Sequence, residues 1–322
     1  MTILAHSLQV SPDKRYADIF LADGDGIVDG GHTYKLIRDS IEKQDCPENQ
    51  YVKLEVITGV SRNMAVEISG GLNTAVQVHA ESLANLGRKF KWIEDEILDM
   101  PYASQISYRE NEDKPIDIRE IIGYLTLFNV EHKELKKRSV EDSHPKEAYT
   151  SKSQCLKWYL EDGDSCEMLR PLLKDILYLS DYIHIKAREI YNEKTKGKYG
   201  AMTGVCYSKE VGRKNNKRKK KLPLIFSGET IEYKLFDATL YPILGSLRYL
   251  VEKKPGDNYY SWKLTSFEKV KKFVDRIIVN MILVTYELSK TYGRKPNPIG
   301  KDNNHWGNLY RMAKIEHLEN LQ

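Results

Sequence analysis

The feature that most limits what this chain can fold into is the helical spacing of apolar residues that begins near Pro115 and persists through most of the remaining chain. Residues 116–128, 151–159, 166–194, 238–252 and 266–290 all carry it. In the longest stretch Leu169, Leu172, Leu173, Ile176, Leu177, Ile183 and Ile190 approximate the i, i+3, i+4, i+7 recurrence of a helix that buries one face. Such faces are satisfied only against one another, so residues 101–322 are predicted to form a helical domain. Residues 267–288 are not a membrane span. Glu268, Lys269, Lys271, Lys272, Asp275 and Arg276 interrupt them, whereas a bilayer demands about 20 mostly apolar residues.

The first hundred residues have a different texture. Strands are predicted at 16–22, 26–29 and 51–58, and in the last of these Val52, Leu54 and Val56 alternate with Lys53 and Glu55, the period of a half-buried strand. The chain therefore reads as α+β, with a small mixed sheet-and-helix domain at 1–100 and the helical domain after it. Residues 100–114 lack a period and form the boundary loop. Only one candidate strand precedes Gly26, which predicts a missing edge strand or a missing preceding domain. A bare sheet edge must be joined or covered, so the expectation is self-association through that edge or its cover by residues 1–12.

Composition narrows the class. With 322 residues, 41% hydrophobic and 30% charged, the chain can bury a core and solvate its surface. The N-terminus has no basic start followed by a long apolar stretch, so a cytoplasmic, non-membrane protein is expected. Cys46, Cys155, Cys166 and Cys206 form no CxxC pair and read as reduced thiols. The net charge of +4 would be −3 without Arg213, Lys214, Lys217, Arg218, Lys219, Lys220 and Lys221, so basicity belongs to one short run. That run ends a segment, 196–221, whose Gly197, Gly200, Gly204 and Gly212 predict an exposed, mobile loop. Such a run can neutralise nucleic-acid phosphates, but no aromatic residues interleave it for base stacking.

The richest motif is Gly26-Ile27-Val28-Asp29-Gly30-Gly31-His32-Thr33-Tyr34. Ile27 and Val28 are predicted to end a buried strand, Gly30 and Gly31 to make a tight turn, and Tyr34, Ile37 and Ile41 to form the buried face of the next helix. The first N–H groups of a helix lack intrahelical partners and carry the positive end of its dipole, which favours an anion such as phosphate. Asp29 suits a helix cap or a metal ligand, His32 a phosphate contact or proton transfer, and Thr33 a hydroxyl donor. The competing reading is a plain turn with Asp29 as its N-cap.

Three other groupings qualify. Asn73 and Gln77, after Gly70 and Gly71 and before a helix-like run at 80–86, suit a second wall of a ligand pocket or, equally, a helix cap and a solvated amide. Tyr108, Arg109 and Glu110 offer a guanidinium for phosphate or an ordinary surface ion pair. Glu55 and Glu67 could hold magnesium, although Glu55 falls on the solvent face of its strand. Most of the 21 tyrosines fit helix packing. No GxSxG elbow, Walker A loop or HExxH helix is present, and no two histidines sit at ligand spacing, which argues against a classical serine hydrolase, P-loop ATPase or zincin.

The segment IVDGGHT resembles the DGQHR-type signature of the ParB/sulfiredoxin-like superfamily, with Thr33 standing where that pattern ends in arginine. More extensively, IVDGGHTYKLI, VKLEVITGV, GLNTAVQVHAESLANL and KPIDIREIIGYLTLFN resemble, in order, the AIPR family of abortive phage infection proteins from about residue 15 to about residue 250. The resemblance implies a ParB-like first domain and a phage-defence role. It also implies a nucleotide pocket in which Asp29, His32 and Arg109 do the chemistry and Gly30, Gly31, Thr33, Asn73 and Gln77 hold a nucleoside triphosphate with Mg2+. Slow phosphoester hydrolysis would make the protein an enzyme of the nucleotide hydrolase or nuclease-like class. The alternative is a non-catalytic sensor or adaptor that binds phage or host nucleic acid or a partner protein, the glycine turn serving only the fold; a homo-oligomer is a further expectation.

Overall fold

The first strand of the protein, β1 (Thr2–Ala5), lies in the middle of its principal sheet, where β4 (Gly26–Asp29) pairs with it antiparallel and β5 (Glu55–Thr58) pairs with it parallel. Ile3 faces Ile27 across one ladder and Val56 across the other. The computed structural model describes residues 1–13, 15–43, 49–60, 64, 89–108, 112–130, 132, 144–211 and 218–320. Within them the chain forms two compact units, one of Met1–Lys91 with Ser107–Pro115 and one of Trp92–Ile106 with Ile116–Gln322. The fold class is α+β.

In the first unit Thr2, Leu4 and Ala5 are buried, which explains why a short apolar segment with no long alternation takes the central position. A separate antiparallel pair joins β2 (Ser7–Val10) to β3 (Ala17–Phe20). Its connection is closed by Asp13, which accepts from Ser11 Oγ at 2.6 Å and from the Arg15 amide at 3.1 Å. Two strands thus precede β3, and within residues 1–12 Thr2–Ala5 supplies the sheet's centre rather than a cover for its edge. The strand predicted at 51–58 is confined to β5; Val52 and Leu54 are exposed, so their alternation with charges does not mark a buried face. Helix α1 (Gly31–Glu42) follows β4.

In the second unit the predicted periodicity becomes packed helices. Asp117 caps α2 (Ile118–Phe128) by accepting from the Arg119 amide at 2.8 Å, and Ser151 caps α3 (Lys152–Glu161), the helix that packs on α2. Helix α4 (Leu173–Thr195) lies along α6 (Phe267–Thr291), and α5 (Asp237–Ser246), buried along nearly its whole length, meets α7 (Pro296–Lys301) and α8 (Asn303–Glu319). A methyl group at Gly245 of α5 would come within 2.8 Å of the Trp306 ring of α8, so the closeness of this crossing depends on the missing side chain.

The structure breaks two predicted helices. The 166–194 stretch is divided ahead of α4 at Pro171, which lies in the 3-10 turn Arg170–Leu172, and the 238–252 stretch stops at Ser246 and passes through Leu247–Leu250 into a short strand, Val251–Glu252. The loop predicted at 196–221 is corrected in its first half: Tyr199, Met202, Val205 and Cys206 are buried, and β6 (Cys206–Tyr207) pairs with a later strand, Lys234–Leu235. Its second half is a hairpin of β7 (Glu210–Val211) and β8 (Arg218–Lys219).

Candidate functional site

Strand β4 delivers Asp29 to the edge of the glycine turn, opposite Thr2 in the ladder. Gly30 then takes φ 91°, a left-handed conformation that a side chain strains, and is itself the N-cap of α1. A Cβ at Gly30 would lie 2.6 Å from Met1 Cγ and 2.9 Å from Met1 Cα, so the turn is backed by the very start of the chain. The first intrahelical bond runs from the Tyr34 amide to the Gly30 carbonyl at 3.0 Å. The amides of Gly31, His32 and Thr33 precede it, and no side chain caps them.

Asp29 is half-buried and does not cap the helix, which corrects the plain N-cap reading of that residue. His32 and Thr33 are exposed beside the three leading amides. Two local expectations fail. Ile27 is 37% exposed, so β4 is not a buried strand, and Tyr34 and Ile41 are exposed while Ile37 is half-buried, so their spacing marks an apolar face of α1 without burying it. The polar ends gather at the amino end of α1: one carboxylate, one imidazole, one hydroxyl and three leading N–H groups come from five consecutive residues.

Arg109, Asn73 and Gln77 lie outside the described residues, as do Gly70, Gly71, Glu67, Glu110, Cys46 and the helix-like run at 80–86. Tyr108 is half-buried, its amide donates to Glu112 Oε2 at 3.0 Å, and its ring lies tilted against Phe90 at 6.2 Å, which makes it a packing residue. Glu55 is exposed on β5. Of the basic run, Arg213, Lys214 and Lys217 fall outside the described residues, and Arg218, Lys220 and Lys221 are exposed. Lys219 is engaged: its Nζ donates to Glu210 at 2.8 Å and to Ser208 Oγ at 2.9 Å and lies 5.4 Å from the Tyr233 ring centroid.

Buried polar groups elsewhere serve the helical unit. Asp181 of α4 accepts from the amides of Phe226 and Ser227, both at 2.8 Å, and its carboxyl is held above the usual range by burial, against which these hydrogen bonds work. His184 Nδ1 accepts from the Leu235 amide at 3.2 Å, and burial keeps that imidazole neutral well below its ordinary value. The thiols of Cys155, Cys166 and Cys206 are buried and pushed up to about 12 by burial, which makes them inert. Among the described residues no three His, Cys, Asp or Glu side chains converge to hold a metal ion, and no helix is long and apolar enough to cross a membrane.

Sequence reasoning missed Met1 as the backing of Gly30, because nothing in a linear pattern pairs residue 1 with residue 30. A family model described as "AIPR protein" matches residues 1–292. No curated protein and no solved structure matches the chain.

Proposed function

The chain belongs to the AIPR family, whose role is abortive infection and phage defence, and from that premise we propose that it acts by binding a phosphate group of a nucleotide or nucleic acid at the turn formed by residues 29–33. The single observation that carries this reading is the uncapped amino end of α1, with the leading amides of Gly31, His32 and Thr33 set beside Asp29. A helix start of this kind offers donors and a positive dipole end to an anion without a lysine or arginine.

In this reading the Gly31, His32 and Thr33 amides and the Thr33 hydroxyl donate to phosphate oxygens. His32 donates a further hydrogen bond or moves a proton, and Asp29 would hold Mg2+, which would supply positive charge to neutralise the phosphate. Gly30 contributes by having no side chain, which lets Met1 close the back of the turn. Arg109, Asn73 and Gln77 complete the nucleotide site as the family resemblance implies, and phosphoester hydrolysis, where it occurs, uses His32 as its proton carrier.

The test is a thermal-shift screen of ATP, GTP, CTP and UTP with and without Mg2+, repeated on Asp29→Ala and His32→Ala. Selective binding to the native state stabilises by RT ln(1 + [L]/Kd), about 2.7 kcal/mol at a hundredfold excess over Kd. At least one triphosphate should raise the melting temperature of the wild type, and each substitution should abolish the rise while leaving the protein folded. No rise with any triphosphate at millimolar concentration contradicts the nucleotide reading. Phosphate release on incubation would add hydrolysis to binding.

A further inference from the structure

The second unit contains a buried cation that no anion among the described residues balances. Arg248, in the 3-10 turn Leu247–Leu250, is only 5% exposed. Its Nη2 lies 3.4 Å from His144 Nδ1, and since a guanidinium only donates, that ring nitrogen is the acceptor. The guanidinium also stands 4.8 Å from the Tyr310 ring centroid. Among the described residues no carboxylate pairs with it, although arginine is almost never buried unpaired. Burial lowers its pKa to about 10, which still leaves it charged at neutral pH.

A second arginine without a carboxylate partner among the described residues lies near His144. Arg311, exposed on α8, donates to Asn308 Oδ1 at 2.7 Å, and no carboxylate among the described residues pairs with it. Arg276 and Arg188 of the same unit behave otherwise: Arg276 is bound to Glu316 at 2.6 Å and Arg188 to Glu232 at 3.0 Å. Arg311 and His144 converge on Gly307. A Cβ built there would be 3.0 Å from His144 Nε2 and 3.4 Å from Arg311 Nη1, so the absent side chain lets the imidazole and the guanidinium approach the same stretch of helix backbone. The imidazole that accepts from the buried guanidinium thus also lies near the exposed one.

We propose that Arg248 and Arg311, with His144 holding Arg248 in place above Gly307, form a binding site for a phosphate group. Two guanidiniums match the double charge of a phosphate monoester better than a carboxylate, and their planar forks suit its oxygens. Arg311 receives the anion at the surface, Arg248 binds its inner oxygens, and the anion removes the cost of the buried charge. His144 is a positioning residue: it accepts from Arg248 and fixes the direction of the fork. The Tyr310 face beside Arg248 steadies the guanidinium against the site. This site lies wholly within the helical unit and owes nothing to the turn at α1.

The experiment titrates the full chain carrying Asp29→Ala and His32→Ala with inorganic phosphate, against sodium chloride of matched ionic strength, and follows the melting temperature. Phosphate should raise it by about 2–4 °C at saturation. Arg311→Gln, at an exposed position, should weaken the phosphate response at least tenfold with the starting melting temperature nearly unchanged, and Arg248→Met should abolish it. His144→Phe, which keeps the ring volume but cannot accept from Arg248, should weaken it without affecting Arg311. Adenosine monophosphate and a short single-stranded oligonucleotide without terminal phosphates separate the sources: a stronger response to the first assigns a nucleotide monoester, to the second a backbone diester. No phosphate-specific shift, or a shift that Arg311→Gln leaves intact, overturns the proposal. If Arg248→Met fails to fold, the Arg311→Gln result decides alone.

Discussion

Helix α6 buries ten of its side chains and helix α1 buries none. The two helices typify their units. In the helical unit Leu173, Ile278, Phe273 and Leu244 are inaccessible to solvent and direct packing fixes the arrangement, with polar groups such as Asp181 drawn into service as braces. In the described part of the first unit Thr2, Leu4, Ala5 and Phe90 are buried, and order comes from backbone ladders and turn chemistry. A surface organised by backbone pairing keeps polar donors at its margins, and a surface organised by side-chain packing hides them. The uncapped turn at residues 29–33 lies on the lightly packed unit.

The largest effect should come from a packing deletion. Phe273→Ala in α6 should cost about 3–5 kcal/mol of unfolding free energy, while Leu36→Ser on the exposed face of α1 should stay within about ±0.5 kcal/mol. Denaturant unfolding of both variants checks this, and comparable losses would erase the contrast between the units.

Acid should act next, and through the helical unit. Burial lowers the His305 imidazole from 6.5 to about 4. Between those values the unfolded chain takes up a proton that the native chain refuses, so stability is complete above about pH 6.5 and is lost as pH falls toward 4, on the order of 3 kcal/mol for this one residue. Asp181, raised by burial, has the opposite sense, its contribution falling as pH rises from the ordinary carboxylate range. Unfolding free energies of wild type and His305→Gln at pH 7 and pH 5 isolate the histidine share; an equal pH slope in both would contradict it.

Glycine substitutions sharpen the comparison further. Gly30→Ala meets both a positive φ and the Met1 backbone, so it should cost about 1–3 kcal/mol and loosen β1 and α1 in particular. Gly228→Ala in the helical unit, at φ 76° with nothing within 4 Å, should cost about 1–2 kcal/mol, the left-handed conformation alone. Hydrogen exchange that showed the Gly30 change spreading evenly through α4 would break the account. The smallest effect belongs to the basic hairpin arm: replacing Arg218, Lys220 and Lys221 by Gln should alter the unfolding free energy by less than about 0.5 kcal/mol. If that arm contacts nucleic acid, the same change should weaken binding to all sequences alike and flatten its salt dependence.

The two units also differ in how far their folds are legible in the sequence. Helices α2, α3, α4 and α6 can be read from residue spacing, because a helix that packs on one face leaves a 3.6-residue trace in the order of its side chains. The same trace exists at Trp306, Leu309, Tyr310 and Ala313 of α8, where charged and amide residues around it hide the pattern. Strand β1 leaves almost no trace: four residues cannot establish a period, and its central position depends on partners about 25 and 50 residues away. The tight turn of Gly30 and the helix after it are readable from the glycines, but the cap is not, since only geometry shows that Gly30 and not Asp29 occupies it. Arg248 is unreadable in the sequence, because no linear pattern tells a buried guanidinium without a carboxylate from a solvated one.

The most direct test of the central claim is amide hydrogen exchange on the intact chain with and without a nucleoside triphosphate and Mg2+. Protection should concentrate at the amides of Gly31, His32 and Thr33, with α4 and α6 unchanged, and should disappear in Asp29→Ala. Exchange at those three amides that is the same with every triphosphate as without would contradict the nucleotide reading.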